Sequence, residues 1–171
     1  AEYYFDNDGV MQANRWIDQD GLSFYVQSSG IIATSTWLHL GDKWFYANEV
    51  GAKSIGLVKV GASWYHFNND GSMTASTWKQ VSDHWYYANA DGDLATGWKQ
   101  ISGAWFHFND NGAMSTGWIS PNGHWYYLSD NGAMTTGWAR VDGSWYYFDT
   151  TGAMRSSTWV SNGGQWFYLE G

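Results

Sequence analysis

All fourteen tryptophans of this 171-residue chain stand on two positions of one repeating unit. The unit opens at Trp16, Trp37, Leu57, Trp78, Trp98, Trp118, Trp138 and Trp159, so its length is 20 or 21 residues. Seven residues after each opening comes a second lane: Ser23, Trp44, Trp64, Trp85, Trp105, Trp125, Trp145 and Trp166. Indole rings recurring in pairs offer flat, electron-rich faces. The chemistry open to such faces is stacking and cation–π attraction. A fixed period of this length marks a solenoid or array, in which a site is built once and repeated.

Other chemistries find little support in the residues. The five histidines have no metal-ligand spacing: His66 and His107 stand on a tyrosine lane, and His39, His84 and His124 lie on or near turns. No metal site is expected from them. The Asp-Asn-Gly turns lack the ligand alternation and terminal Glu of a calcium loop. Asp, Glu and Ser form no triad, nucleophile elbow or zinc helix motif, so no catalytic residue and no cofactor are expected, and the chain reads as a non-enzyme. A net charge of −8 argues against nucleic acid and against an anionic membrane surface. No apolar run approaches the ~18 residues of a membrane span, so no direct membrane insertion is expected. There is no cysteine, which excludes disulfides.

The elements that must position the rings follow from residues 117–134, G-W-I-S-P-N-G-H-W-Y-Y-L-S-D-N-G-A-M. Trp118–Ser120 reads as a first strand, Pro121-Asn122-Gly123 as a turn, and Trp125–Leu128 as a second, aromatic strand. Asp130-Asn131-Gly132 is another turn, and Met134 onward leads into the next unit. Each unit is thus a β-hairpin plus a connecting loop. An isolated hairpin is marginal in water, so the hairpins must stack. The expected fold is all-β, an elongated solenoid of stacked β-hairpins with no helix. It spans residues 1–171 as a single repeat module of about eight units, with a partial first unit over residues 1–15. Glu2-Tyr3-Tyr4-Phe5 reads as the second half of a unit whose first half is missing, as in a segment cut from a longer chain. Aromatic residues are 20% of the chain and charged residues 14%, so stacked rings carry most of the apolar burial.

Pairing across Asn122-Gly123 sets Ser120 opposite Trp125 and Trp118 opposite Tyr127. Side chains alternate along a strand, so Trp118, Trp125 and Tyr127 share one face and Tyr126 lies on the other. Stacked in order, the Trp face of one hairpin meets the opposite face of the next. Trp118 and Trp125 are then joined by Tyr146. Three rings from two units form a small box, the known physical solution for holding a quaternary ammonium.

The pattern G-W-x(6)-W-Y-Y-x(4)-G-x-M-x-T-G-W, from Gly117 to Trp138, resembles the choline-binding repeat of pneumococcal and related surface proteins and cell-wall lytic enzymes. The resemblance covers essentially the whole chain. It implies a left-handed β-solenoid in which choline sits between consecutive repeats, in a cage of two Trp and one Tyr, often with a Met nearby. It implies phosphocholine of teichoic and lipoteichoic acids as the partner, and a secreted module that holds its carrier on the bacterial cell wall.

Carried over junction by junction, the resemblance assigns cages to Trp98, Trp105 and Tyr126; to Trp118, Trp125 and Tyr146; and to Trp138, Trp145 and Phe167. Two further sets open with Thr-Trp: Trp78, Trp85 and Phe106, and Trp37, Trp44 and Tyr65. Met114, Met134 and Met154 are candidates for closing the cages, or for filling gaps between rings. Ser23 and Leu57 each remove a cage Trp, so their junctions are expected to hold choline poorly. Trp159 and Trp166 would form an open cage.

Three walls and three buried methyl groups amount to about 4–5 kcal/mol, a millimolar site for free choline. Several sites on one polymer would add roughly 10²–10⁴ in avidity. Recognition is expected to rest on the ammonium, with phosphate left in solvent. Competing readings are an oligosaccharide-binding module, like repeats of streptococcal glucan-binding proteins and clostridial toxins, and a spacer or adhesin with a protein partner. The glucan-type repeats usually lack the second Trp lane. A wall hydrolase whose catalytic domain lies outside this chain is also compatible.

Overall fold

The computed structural model describes residues 3–170, and every named element in it is a β-strand. In chain order these are β1 (Arg15–Gln19), β2 (Leu22–Val26), β3 (Thr36–Leu40), β4 (Lys43–Ala47), β5 (Gly56–Val60), β6 (Ser63–Phe67), β7 (Thr77–Val81) and β8 (His84–Ala88). They continue with β9 (Gly97–Ile101), β10 (Ala104–Phe108), β11 (Gly117–Ile119), β12 (Tyr126–Leu128), β13 (Gly137–Val141), β14 (Ser144–Phe148), β15 (Met154–Arg155), β16 (Thr158–Asn162) and β17 (Gln165–Leu169). Consecutive strands pair antiparallel as hairpins: β1 with β2, β3 with β4, β5 with β6, β9 with β10, β11 with β12, β13 with β14 and β16 with β17. The chain forms two compact units, one running to Ser82 together with Tyr87–Leu94, the other made of Asp83–Tyr86 and the residues from Ala95 onward.

The hairpin register matches the expected one. Trp118 lies opposite Tyr127, Trp37 opposite Tyr46 and Trp138 opposite Tyr147. Tight turns allow this register. Asp20-Gly21, Ser102-Gly103 and Asp142-Gly143 all have positive φ at both residues, as a two-residue type I′ hairpin loop demands. The Pro121 hairpin differs from expectation. Its strands stop at Ile119 and resume only at Tyr126, which leaves Ser120 and Trp125 outside them. Pro121 has no N–H to give a ladder, and the wider loop is tied by Asn122 instead, whose amide donates to the Tyr126 hydroxyl at 3.1 Å.

The connecting loop is itself paired. Met134 bridges to Leu128, Met114 to Phe108 and Met73 to Phe67, and Met154 joins β14 as part of β15. This third, short limb covers the innermost lane of the hairpins it follows. Val26, Phe67, Phe108, Leu128 and Phe148 are fully buried there. The loop also clamps its unit to the preceding hairpin. The Met73 amide donates to the Trp44 carbonyl at 2.7 Å, Met134 to Trp105 at 2.8 Å and Met154 to Trp125 at 2.7 Å.

The inter-unit glycines answer two demands at once. Gly132 has φ +82, and a Cβ there would lie 2.3 Å from the Met114 sulfur; Gly152 stands in the same relation to Met134. Met114 and Met134 therefore pack into the space left by the glycine of the next loop.

The two repeat lengths also have a backbone cause. Units opening Gly-Trp carry positive φ on the glycine itself, as at Gly97, Gly117 and Gly137. Units one residue longer carry it on a serine two residues before the Trp: Ser35, Ser76 and Ser157. The extra residue is taken up in a left-handed bend before the strand begins, and the ring lanes keep their phase.

Candidate functional site

Trp37, Trp98, Trp118 and Trp138 each lie in the first strand of their hairpin with the ring against one from the next hairpin. In the first unit, Trp37 is 4.8 Å from Tyr65 and 5.8 Å from Phe67, ring centre to ring centre. Its own hairpin adds Tyr46 at 5.1 Å and Trp44 at 6.4 Å. In the second unit Trp118 repeats this set: Tyr146 at 4.8 Å, Phe148 at 5.7 Å, Tyr127 at 5.2 Å and Trp125 at 6.2 Å. The walls stand nearly at right angles. Trp37 and Trp44 are inclined by 82°, Trp118 and Trp125 by 84°, and Trp118 and Tyr146 by 72°.

Two further groups close in the second unit. Trp98 meets Tyr126 at 4.9 Å, and both line a cavity of about 440 Å³ with Trp105, Asn122 and Met134. Trp138 meets Phe167 at 5.3 Å, and both line a cavity of about 330 Å³ with Trp145 and Asn162. The Trp37 group opens on a larger cavity of about 620 Å³ that also takes in Met73, Lys43, Asp42 and Asp91. Lys43 is held there by Asp70, Nζ to Oδ2 at 3.0 Å.

Four of the five expected ring sets are thus brought together. The fifth, Trp78 with Trp85 and Phe106, is divided between the two compact units and stays an expectation from sequence. Of the three methionines, Met134 lines the Trp98 cavity. Met154 bears the same backbone relation to Trp125 as Met134 does to Trp105. Met114 lines a polar cavity with Trp85, Asp83, His84 and Asp130. Met73, which the sequence reading left out, belongs with the Trp37 set; its place in the lane at the same offset as Met134 is the signal that would have found it.

Within the four sets the two tryptophan positions differ in exposure. Trp37, Trp98, Trp118 and Trp138 are half-buried, but Trp44, Trp105, Trp125 and Trp145 remain 43%, 42%, 50% and 64% exposed. A ring needed only for the core would be covered. Trp44, Trp105 and Trp145 line open cavities, and backbone clamps hold Trp44, Trp105 and Trp125, each with an apolar face turned to solvent.

The histidines on the tyrosine lane are structural. His66 Nδ1 and the Thr74 hydroxyl are 2.7 Å apart, and His107 Nδ1 and the Ser115 hydroxyl 3.0 Å. Burial lowers the pKa of both imidazoles; the positive charge of Lys79 pushes His66 the same way, while Asp110 works against the shift at His107. Among the described residues no group of three His, Asp or Glu side chains is placed to hold a metal ion.

The comparisons with known proteins agree with this architecture. Residues 95–136 match the family described as "Choline-binding repeat". Residues 3–11, 35–52, 55–73, 76–94 and 136–154 match the "Putative cell wall binding repeat". No curated protein matches the sequence. Among solved structures, choline binding protein F of Streptococcus pneumoniae, crystallised in the presence of a peptidoglycan analogue, is 36% identical with a TM-score of 0.77; the match covers 92% of this chain and 57% of that one. CbpJ of the same organism gives 29% identity and a TM-score of 0.84, covering 98% and 67%. The choline-binding domain of CbpL, also pneumococcal, gives 27% and 0.73, covering 98% and 88%. The chain therefore spans less than two thirds of the choline binding protein F chain it matches. Hairpins of one register, a doubled tryptophan lane and perpendicular ring boxes repeated along the chain, together with these matches, place the chain in the choline-binding repeat family.

Proposed function

We propose that this chain is a non-catalytic module that attaches its carrier to the bacterial cell wall by gripping phosphocholine of teichoic and lipoteichoic acids. The ring sets act as cages: Trp37, Trp44 and Tyr65; Trp98, Trp105 and Tyr126; Trp118, Trp125 and Tyr146; Trp138, Trp145 and Phe167. The single observation that carries this reading is the exposed second-lane Trp set against a half-buried first-lane Trp. Packing alone gives no reason to leave four large apolar rings this exposed, three of them lining cavities.

The angles favour a methylated ammonium over a sugar. A sugar ring lies flat on an aromatic platform. Walls inclined by 68° to 84° instead enclose a compact, roughly spherical group, presenting a π face on more than one side. Each wall contributes about 0.5–2 kcal/mol. The methyl groups leave water at the same time, which brings one cage to the millimolar range for free choline. Repetition then supplies what a single cage lacks, since a polymer engaged by several cages gains roughly 10²–10⁴ in avidity.

The test is a choline titration followed by intrinsic tryptophan fluorescence, with tetramethylammonium and glucose oligomers in parallel. Saturation by both ammonium compounds and silence from the sugars is expected, followed by retention of the chain on choline-bearing wall polymer and its release by free choline. A response to the sugars alone would move the chain to the glucan-binding class. Retention on wall polymer stripped of choline would also refute the reading.

A further inference from the structure

The first junction of the chain keeps an aromatic pair but carries a cation of its own. Trp16 faces Phe45 of the following hairpin at 5.5 Å and Tyr25 of its own hairpin at 5.3 Å. Ser23 stands where the other hairpins of complete type carry the second Trp, and its hydroxyl donates to the Asp18 carboxylate. The wall on that side is missing.

Lys53 reaches into the gap. It occupies the lane position held by Met73 and Met134 at the complete boxes, and its backbone does the same work: the Lys53 amide donates to the Ser23 carbonyl at 2.7 Å, as Met73 does to Trp44. Its methylenes pass Gly71, where a Cβ would come within 2.5 Å of the Lys53 Cδ. The chain of methylenes then ends with Nζ 5.1 Å from the centre of the Trp16 ring. Lys43, by contrast, spends its charge on Asp70 at 3.0 Å, whereas among the described residues no carboxylate comes within 4.0 Å of Lys53.

We infer that the Trp16–Phe45 junction is an internally ligated ammonium site, in which Lys53 stands where a free quaternary ammonium would sit. The inference rests on the cage reading above for its ligand. Its physical basis is tethering. A side chain anchored in the adjoining loop has an effective concentration in the millimolar range or higher, comparable with the affinity of one cage for free choline. The tethered ammonium also loses little freedom on docking, because Gly71 and the Ser23 clamp already fix its stem. Ser23 and Lys53 therefore act as a pair. The serine removes one wall, and the lysine satisfies the remaining π face, so the junction stays packed and takes no external ligand.

The test uses the whole chain and three variants: Ser23→Trp, Lys53→Met and the double substitution. Choline stoichiometry is measured by calorimetry, and the Lys53 side chain is observed directly by ¹H–¹³C NMR. In the unsubstituted chain the Lys53 ε-methylene signals should lie upfield of those of the other lysines, because they sit over the Trp16 ring. Added choline should leave them in place while the complete cages fill. Ser23→Trp alone should add no site, since the lysine still occupies the box. The double variant should add one. A new choline site in Ser23→Trp alone, unshifted Lys53 signals, or displacement of those signals by choline would overturn the inference. If no cage in the unsubstituted chain responds to choline, the functional reading fails. The NMR position of Lys53 then still decides whether the ammonium docks on Trp16.

Discussion

Trp118 and Trp125 belong to the same ring box but should behave differently when removed. Trp118 touches four rings, Trp125, Tyr127, Tyr146 and Phe148, at 4.8 to 6.2 Å, two of them on the next hairpin. Truncating a packed Trp to Ala costs about 3–5 kcal/mol. Trp118 is half-buried, so the lower end, about 3 kcal/mol, is expected. Trp125 is 50% exposed and stands edge-on to Trp118 at 6.2 Å. One such contact is worth about 0.5–1.5 kcal/mol, and the backbone clamp from Met154 to the Trp125 carbonyl survives loss of the side chain. Trp125→Ala should therefore cost about 1 kcal/mol. For binding the order is level. Either substitution removes a wall worth about 0.5–2 kcal/mol from a cage worth about 4–5 kcal/mol, which pushes that site beyond a millimolar titration. Urea unfolding and choline calorimetry on the same two variants separate the effects. The reasoning fails if Trp125→Ala unfolds as readily as Trp118→Ala, because the second lane would then be core. It fails equally if Trp125→Ala keeps the full choline stoichiometry.

Trp98→Ala and Trp138→Ala should each reduce choline stoichiometry by one site while the other cages keep their affinity; calorimetry reporting an unchanged number of sites would remove that cage from the set. Gly132→Ala should be more destabilising than Gly123→Ala in urea. Both have φ +82, which costs about 1–2 kcal/mol for a side chain, but only at Gly132 would a Cβ meet the Met114 sulfur. Equal losses would mean that the thioether moves aside freely. The pH dependence follows from His66 and His107, whose folded-state pKa values lie below the ordinary 6.5 chiefly through burial. The unfolded chain takes up those protons first, so stability should fall as pH drops below about 6.5 and level off once the folded imidazoles titrate. Replacing both with tyrosine, the usual residue of that lane, should remove this slope between about pH 7.5 and about pH 5.5; an unaltered slope would assign it to carboxylates instead.

The lanes were legible because each is a position with one physical job. Trp118 opposite Tyr127 follows from a two-fold strand period and a turn at Asn122-Gly123, and the structure has that pairing. The meeting of Trp118 with Tyr146 follows from stacking in order, and the rings do meet. Relations between lanes far apart in the chain were less accessible. The pairing of Met114 with Gly132 depends on how one loop nests in the next, which no local propensity encodes. The connecting loop read as irregular because two-residue bridges such as Met134 to Leu128 leave no alternating run to detect. His66 and His107 looked like gaps in a tyrosine lane. Their partners, the Thr74 and Ser115 hydroxyls, sit eight residues on, but Ser54 and Thr135 stand at the same offset from Tyr46 and Tyr127, so the sequence alone did not single them out. Lys53 in the methionine lane was likewise visible. Its purpose became clear only with the Trp16 ring beside its ammonium.

The left-handed residue at the entrance to the first strand has a consequence for how such chains change length. Ser35, Ser76 and Ser157 store the extra residue of the longer units outside the paired backbone, while Gly97, Gly117 and Gly137 do without it. The phase of the rings is therefore independent of which kind of unit precedes. Copies of either length can be duplicated, deleted or exchanged by recombination without a strand slipping by one residue and turning its tryptophan to the wrong face. The bend is the natural seam of the array, and the number of ring boxes can be raised or lowered there one unit at a time.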